Sequence, residues 1–491
     1  MALSLKFVVM LLCEITVTNN SIARRRHNIY AALKLGCPMH KFEKSRPFLI
    51  LAILFIAYPL YATADSNGQI GPVPESVSET IENQTGLTLE QCIDIALENN
   101  PEIAQKKWNT ETALAEKDIA QGRLWPEIGA VGGYTFYRDD RLIKPRRPGG
   151  QDVLRFSDEL ISGDIVLSMP LYTGGKLRNE IETTEQIVQS TKHQLLRSRR
   201  ELVFNVSNVF YSMLGQQAVI KSLVFSQKAL EEHRKIVAEL LIAQKAAQVD
   251  LLRTEVRLAD IKQQLLRERN VLNIQGALLA SLLGLDQQDE YFEIEGELTE
   301  VDFSAGIDQR IASAFKNRQD YLSLESRVNA QERKLDIAKA GRLPDISLQA
   351  SYGNRWDADS SQNNEVGLVG ISVVLPLFEG GRIDARVRQE SSRFMAKTEA
   401  LRKLQLQIRL ELETAVSNIE STRARIDVTQ KAVKQAKESS RIEREKYDQG
   451  KGAIVDVLDA QSAMLESQEN YYRALAGYNT ALAQFRLAAG E

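Results

Sequence analysis

The sequence predicts a mainly α-helical protein that also carries membrane β-strands, and it predicts that one structural unit occurs twice. The phrase P-L-aromatic-x-G-G-basic begins at Pro170 and again at Pro376, 206 positions later. Long stretches with apolar residues at spacings of three, four and seven indicate coiled-coil helices, and shorter stretches between them alternate apolar and polar residues. Because an internal repeat limits the fold more strongly than length does, the 491 residues are interpreted as one duplicated unit.

The duplication keeps its register over long stretches of the chain. An offset of 206 residues matches the first copy to the second: Gly174 falls on Gly380, Gly175 on Gly381, and Asp250 on Asp456. Before the repeated phrase the offset is 218, because Pro126 falls on Pro344. The twelve-residue difference therefore lies between Pro126 and Pro170, where the first copy has the longer insertion.

These offsets predict the domain organisation. Residues 65–86 form a linker, the first helix-hairpin-helix repeat occupies 87–285, an acidic linker in an equatorial region occupies 286–306, and the second repeat occupies 307–491. The strands are expected at about 127–137 and 161–170 in the first repeat, and at about 345–356 and 366–376 in the second.

Residues 1–64 are interpreted as a signal peptide preceded by an over-extended start, with Met39 as the expected initiator. A basic segment precedes an apolar run from Pro47 to Leu60, and the small residues after it favour cleavage following Ala64. The alternative is a membrane anchor with a cytoplasmic tail, although the apolar run is short for a stable span.

A very long helix is predicted after each repeated phrase. No proline occurs between Gly175 and about Ile242, and the apolar seam of this segment recurs in the second copy. At 1.5 Å per residue, about 65 helical residues reach roughly 100 Å. Such a helix is a rod, so each copy is expected to be elongated.

The stretches ISGDIVLSMP and DISLQASYGN alternate apolar and polar residues over about ten positions, the length that a tilted strand needs to cross a bilayer. An ordinary soluble hairpin with one buried face is the alternative. The signal peptide and the occurrence of the pattern in both copies favour lipid. Four strands leave two open edges that lipid cannot satisfy, so other chains must complete the sheet.

Prolines and glycines are expected to shape the turns between strands and helices. A proline ends a strand by withholding an amide proton, and a glycine pair lets the backbone turn sharply before a long helix. The turn residues are Pro126, Pro170, Gly174, Gly175, Pro344, Pro376, Gly380 and Gly381.

Composition argues against several classes of function. The net charge is −3 and the charges are spread along the chain, which argues against binding to nucleic acid. Only Cys92 lies outside the N-terminal region, so neither a disulfide nor a Cys/His metal site is expected. His193 and His233 lie in helical patterns and are expected on the surface, without a nucleophile elbow or cofactor fingerprint nearby. The sequence therefore predicts no enzyme, no cofactor and no bound metal.

Five segments, in their order along the chain, resemble the TolC family of outer-membrane efflux proteins: RLWPEI, PLYTGGKLRNEI, RLPDISLQASY, PLFEGGRIDARV and YDQGKGAIVDVLDAQ. The resemblance implies a homotrimer in which each chain adds four strands to a twelve-stranded outer-membrane β-barrel, above a hollow α-helical barrel of coiled coils. It implies location in the outer membrane of a Gram-negative bacterium, with the helical part in the periplasm. The implied partners are a periplasmic adaptor protein, an inner-membrane pump and outer-membrane lipid.

The resemblance also implies a channel entrance at the far ends of the long helices. Asp456 and Asp459 are three residues apart and share a helix face, so a trimer would carry a ring of six carboxylates that favours cations. The first-copy counterpart of Asp456 is Asp250, whereas Arg253 corresponds to Asp459. An ordinary solvated helix face is the alternative for these charges.

One tyrosine near this entrance resembles a residue that links the closed gate in the family, namely Tyr447. The position that resembles a linking basic residue is Gly452, with Lys451 beside it. Gln244 replaces the glycine expected in the first copy. The chain thus departs from the family pattern where the closed state would be held.

The expected function is an exit duct that passively conducts substrates from a periplasmic pump complex to the exterior. A periplasmic coiled-coil adaptor and a purely structural coiled-coil protein are the alternatives. Neither alternative explains two separate pairs of alternating strands, each enclosed by long helices.

Overall fold

The computed structural model describes residues 86–142, 156–285, 293–303, 306–357 and 363–491. The expected signal peptide, nearly all of the linker at 65–86 and part of the acidic linker lie outside these ranges. The described ranges form eight helices and four strands. None of these helices combines the length and the apolar character needed to cross a membrane.

The helices repeat at the offsets that the sequence predicts, which confirms the internal duplication. In the first copy they are α1 (Leu89–Asn99), α2 (Pro101–Gly122), α3 (Lys176–Ile242) and α4 (Gln248–Leu283). In the second copy they are α5 (Ile307–Asn317), α6 (Gln319–Ala340), α7 (Arg382–Asp448) and α8 (Ile454–Ala489). Helices α3 and α7 each have 67 residues, so each is a rod of about 100 Å.

Four antiparallel strands form one sheet in the order β1-β2-β3-β4. The strands are β1 (Glu127–Leu142), β2 (Phe156–Tyr172), β3 (Asp345–Asp357) and β4 (Asn363–Val374). Pro126 and Pro344 stand immediately before β1 and β3. All four strands extend beyond their expected bounds at the hairpin tips, because backbone pairing continues there after the apolar alternation has ended.

Two strand ends near the repeated phrase correct the sequence expectation. Pro170 does not end β2, which continues to Tyr172 along β3. The strand accommodates this proline because pairing with β1 already stops at Ser168, so no ladder bond toward β1 is lost. In the second copy, β4 ends at Val374 and does not reach Pro376.

The two hairpins pair in the same register. Glu127 lies opposite Ser168 in the first hairpin, and their counterparts Asp345 and Val374 lie opposite each other in the second. The register of the first hairpin shifts only beyond Phe136. The twelve extra residues of the first copy therefore lie between Phe136 and Glu159 in the sequence.

Each long helix starts directly after a glycine pair. Gly174 and Gly175 have φ of 61° and 83°, and Gly380 and Gly381 have φ of 61° and 79°. This is the left-handed region, which residues with a Cβ atom rarely adopt. The second glycine of each pair is the N-cap of the helix that follows. A Cβ atom on Gly174 would also lie 2.7 Å from the Cβ atom of Leu343.

Three hydrophobic clusters hold the helices together. One cluster joins α1 to α3 and α4, and a second joins α5 to α7 and α8. The third packs α3 and α4 against α8 nearer the helical tips. Part of the acidic linker joins this packing. Ile294 is buried and pairs with Leu87 in a parallel bridge, and the Tyr478 hydroxyl donates to the Val301 carbonyl.

Candidate functional site at the helical tips

Two short connections form the tips of the helical region: residues 243–247 join α3 to α4, and residues 449–453 join α7 to α8. Gln244, with φ of 59°, and its counterpart Gly450, with φ of 71°, hold the same left-handed position. Gln244 is the only non-glycine residue with a positive φ in the described part of the chain. The first tip therefore carries a backbone strain that the second tip avoids.

Tyr447 lies near the end of α7 and is half-buried against the cluster shared by α3, α4 and α8. Its ring meets the His233 ring of α3 edge to face, with centroids 5.4 Å apart and planes at 61°. Burial raises the pKa of the Tyr447 hydroxyl, and the negative charges of Asp250 and Asp448 add to this. The phenol is therefore neutral near pH 7 and is able to donate a hydrogen bond.

His233 was expected on the surface, but it is buried. It lies on the face of α3 that also buries Leu230 and Val237. Burial lowers the pKa of its imidazole, Arg444 lowers it further, and Asp448 opposes the shift. Its Nε2 atom is buried and has no hydrogen-bond partner among the described residues. His233 is therefore a neutral polar group inside the tip, facing Tyr447.

Asp250 stands in the first turn of α4 and supports the start of that helix. Its Oδ2 atom accepts the backbone N–H of Ala247 at 3.3 Å, and its carbonyl accepts the hydroxyl of Thr254 at 2.8 Å. A carboxylate in the first turn is also favoured by the helix dipole. The first tip thus brings Asp250 close to Tyr447 of α7, whose ring in turn contacts His233 of α3.

Asp456 and Asp459 are both exposed on α8. The face beside them carries Ile454, Val457 and Leu458, which are buried against the neighbouring helices. Within the described ranges, neither carboxylate makes a hydrogen bond or an ion pair. These two carboxylates therefore form a group separate from Tyr447 and Asp250, and they point to solvent in the single chain.

Gly452, which occupies the position of a linking basic residue, has little room for a side chain. A Cβ atom at Gly452 would lie 3.1 Å from the Cβ atom of Lys446 and 3.2 Å from the backbone nitrogen of Tyr447. The neighbouring Lys451 donates to the side-chain oxygen of Gln449 at 3.2 Å. The glycine lets the second connection fold back tightly on the end of α7.

The sheet contains an ion pair that the sequence analysis did not identify. Arg355 of β3 donates to Oδ1 of Asp164 of β2 at 2.6 Å. A Cβ atom on Gly353 would lie 2.3 Å from this carboxylate oxygen, so the glycine leaves room for the pair. The strand alternation puts the pair on the face opposite Tyr134 and Phe136, which are exposed. Charges are costly in lipid whereas aromatic rings favour its interface, so the two faces are suited to different surroundings.

The remaining polar chemistry is limited. No group of three or more His, Cys, Asp or Glu side chains able to hold a metal ion occurs in the ranges that the structure describes. Burial raises the pKa of the Cys92 thiol to about 12, which leaves the thiol unreactive near pH 7. The described part of the tips therefore offers carboxylates, a phenol and an imidazole.

Paired helical rods with charged tips, joined to a sheet with one aromatic and one charged face, define the class as an outer-membrane channel subunit. The model of the family described as outer membrane efflux protein matches residues 92–285 and 311–491. The chain belongs to this family. The two matched segments correspond to the two copies of the repeat.

Relatives and solved structures agree with this assignment. Outer membrane protein TolC of Vibrio cholerae is 21% identical over 414 residues, which cover 82% of this chain and 90% of that protein. Cobalt-zinc-cadmium resistance protein CzcC of Cupriavidus metallidurans is 21% identical over 438 residues, which cover 87% and 94%. The crystal structure of the Campylobacter jejuni CmeC outer membrane channel matches with a TM-score of 0.72 at 16% identity, covering 93% of each chain.

Proposed function

We propose that this protein is the outer-membrane exit duct of a tripartite efflux or secretion system. The observation that carries the proposal is the joining of a four-stranded sheet with two open edges to two rods of equal length that end in paired tips. A sheet in lipid cannot leave its edges unpaired, so copies of the chain must close it. In the resulting homotrimer, twelve strands surround a pore and the rods continue that pore through the periplasm.

Transport through this duct is passive, and the duct hydrolyses nothing. The energy comes from an inner-membrane pump, and a periplasmic adaptor connects the pump to the tips at 243–247 and 449–453. The relatives range from outer membrane protein TolC to a cobalt-zinc-cadmium resistance protein. This range fits a duct whose cargo is chosen by its pump.

Asp456 and Asp459 form the selective ring at the entrance of this duct. Three chains contribute six carboxylates, and like charges around a narrow opening attract cations and repel anions. Their exposure on α8, next to buried neighbours, supports this role because the helix is held while the carboxylates remain available. Tyr447 and Asp250 hold the neighbouring helices of the closed entrance together.

Single-channel current across a planar lipid bilayer tests the proposal. Under a salt gradient, the detergent-purified protein should conduct with a reversal potential of the sign expected for cation selectivity. The double variant Asp456→Asn, Asp459→Asn should move that potential toward zero. The matched control Asp260→Asn, Glu466→Gln removes two exposed carboxylates elsewhere on α4 and α8 and should leave the potential unchanged.

The outcomes separate the fold from the ring. Equal reversal potentials in the wild type and the tip variant would reject the carboxylate ring and leave the duct intact. A folded protein that never inserts, and that salt releases from membranes without detergent, would instead favour a periplasmic adaptor or structural protein.

A further inference from the structure

We propose that His233 positions Tyr447 in the closed entrance, and that protonation of His233 at mildly acidic pH breaks this contact and opens the tip. His233 is thus a positioning residue that also acts as a switch, and its signal is the proton concentration around the tips. The inference rests on the proposed duct, whose closed entrance Tyr447 helps to hold together.

The contact between the two rings is a side-chain bridge between the two long helices. Within the described ranges, no Cα atom of α3 lies within 8 Å of a Cα atom of α7, and α8 packs against both helices. The rings of His233 and Tyr447 nevertheless meet, with centroids 5.4 Å apart. Loss of this bridge would therefore release the end of α7 from α3 while α8 remains packed against each of them.

The bridge is not part of the duplicated framework. The counterpart of His233 in the second copy is Ser439, and the counterpart of Tyr447 in the first copy is Leu241. Neither counterpart is aromatic, and neither titrates near neutral pH. The long helices thus repeat without this pair of side chains, so the fold itself does not require an imidazole at this position.

The imidazole of His233 is held in a place that does not suit a positive charge. The residue is 4% exposed, and its buried Nε2 atom has no hydrogen-bond partner among the described residues. A protonated imidazole donates from both ring nitrogens, so protonation would create an unpaired donor in the interior. Because a buried charge without a partner is costly, the protonated ring favours any arrangement of the tip in which it reaches water.

The charges on the packed helices do not remove this cost. The charged groups around the two rings come from α3, α4 and α7, and they are Arg234, Asp250, Glu255, Arg444 and Asp448. Burial lowers the pKa of the imidazole, Arg444 lowers it further, and Asp448 opposes the shift. Arg234 is paired with Glu255 at 3.9 Å, and Asp250 acts on the Tyr447 hydroxyl. Helix α8 contributes apolar side chains to this cluster, namely Ile454, Val457 and Leu458.

Acid should therefore favour the open tip. When the ring of His233 reaches water, its pKa returns toward about 6.5, so the open tip binds a proton more readily than the closed tip does. A fall in pH shifts the population toward the state that binds more protons. Between pH 7.5 and 5.5, the ratio of open to closed tips should rise by up to about tenfold for each chain.

Current across a planar lipid bilayer tests the switch, with the pH varied on the side that the tips face. The wild-type current should rise on acidification in step with the fraction of open tips. His233→Phe keeps a ring against Tyr447 and His233→Gln keeps a neutral polar group, so both variants should stay at the low current of the closed state. The matched control His193→Phe changes a histidine of α3 that contacts Gln319 far from the tip, and it should retain the wild-type response.

Labelling of a buried cysteine in detergent solution tests the same switch without membrane insertion. Ile454 is 2% exposed and lies in the cluster against which Tyr447 packs, whereas Ala463 is exposed on the same helix. The rate at which Ile454→Cys reacts with a maleimide, divided by the rate for Ala463→Cys at the same pH, should rise on acidification. The division removes the pH dependence of the thiol itself. In the background of His233→Phe the ratio should stay constant, and Cys92 is fully buried and does not compete.

The outcomes separate the switch from the duct. The same pH response in wild type and in both His233 variants would overturn the role of His233 and leave the duct in place. Variants that are open at both pH values would show that His233 only packs the tip, which also overturns the switch. If the protein never conducts, but acid raises the labelling ratio in wild type and not in His233→Phe, the proposed duct fails and the switch stands.

Discussion

The two copies of the repeat interrupt their helices at the same place but hold the interruption with different side chains. Between α1 and α2, the Asn100 amide donates to the Leu282 carbonyl at 2.9 Å. Between α5 and α6, the Arg318 guanidinium donates to the Ala488 carbonyl at 3.2 Å. Leu282 and Ala488 are counterparts in the repeat, and each lies just before a glycine in the left-handed conformation.

The comparison of Asn100 with Arg318 shows which contact the fold requires at this helix interruption. Helix ends leave backbone groups without partners, and both side chains satisfy the same carbonyl at the end of the last helix of their copy. Arg318 does more, because it also contacts Asp320 and Glu411, each at 2.6 Å. The second copy has therefore added an ion-pair network to a contact that an amide alone makes in the first.

The largest expected effect comes from removing this network. Arg318→Ala should cost about 2 to 3 kcal/mol, because it leaves Glu411 without its cation and leaves Asp320 only the more distant Arg197, at 3.9 Å, although both carboxylates reach solvent. Asn100→Ala removes one cap and should cost about 1 kcal/mol. Amide hydrogen exchange at the starts of α2 and α6 measures both losses. Equal losses in the two variants would mean that the ion pairs add nothing to the shared contact.

The variant Arg318→Asn sharpens the comparison by giving the second copy the residue of the first. An asparagine can cap α6 and donate to the Ala488 carbonyl, but it cannot neutralise Asp320. It should therefore recover about 1 kcal/mol relative to Arg318→Ala. Recovery of the full loss would assign the whole effect to the helix end.

An intermediate effect is expected from pH at the tips, where His233 has Ser439 as its counterpart in the second copy. The buried imidazole has a lowered pKa, so the unfolded chain binds its proton more readily than the folded chain does. The stability contributed by neutral His233 is complete above pH about 6.5 and declines as the pH falls below that value. Melting of the detergent-purified protein should accordingly shift down by a few degrees between pH 7.5 and 5.5.

Two variants isolate the His233 contribution to this shift. His233→Phe keeps a ring against Tyr447 without a titrating group, so its melting temperature should depend less on pH than that of the wild type. His193→Phe changes a histidine that contacts Gln319 far from the tip, and it should retain the wild-type dependence. If His233→Phe and wild type lose the same stability on acidification, other groups are responsible.

The smallest expected effect comes from the strained residue of the first tip. A non-glycine residue in the left-handed region costs about 1 kcal/mol. A glycine removes this cost, but it also gives the unfolded chain more conformational freedom, which offsets part of the stabilisation. Gln244→Gly should therefore stabilise the first tip by about 0.5 kcal/mol. The reverse change Gly450→Gln should destabilise the second tip by about 1 kcal/mol. No atom lies within 4 Å of a Cβ built on Gly450, so this cost is a backbone effect.

Hydrogen exchange at residues 243–247 and 449–453 checks both tip variants. Opposite changes in the two connections are expected, because each variant gives one tip the residue of the other. A change of the same sign in both would show that the left-handed position is not what distinguishes the tips.

The duplication made much of the fold predictable from sequence. A helix predicted in one copy could be located in the other by adding the offset. The bounds of α3, each increased by 206, are the bounds of α7. The strand ends were less predictable, because backbone pairing at the hairpin tips needs no apolar alternation. Pro170 was expected to end β2, because a proline cannot donate a backbone hydrogen bond. It instead lies within β2 at a position where only β3 is paired with the strand.

The candidate site was predictable only in part. Tyr447, Asp250, Asp456 and Asp459 stand in recognisable motifs near helix ends. The burial of His233 was not expected, although its spacing from Leu230 and Val237 matches a buried helix face and was the signal available. Arg318 and Arg355 each contact residues far away in sequence, and no local pattern marks such pairs.

The equal length of α3 and α7 limits how this protein can change over generations. Each helix has 67 residues, so the two tips stand at the same height. Deleting one turn from a single copy would lower its tip by about 5 Å, and in the proposed duct it would leave the adaptor an uneven rim. Inherited length changes in the rods should therefore occur in both copies together. The connection between two paired strands has no such counterpart to match, and the twelve unmatched residues of the first copy lie between Phe136 and Glu159 in the sequence.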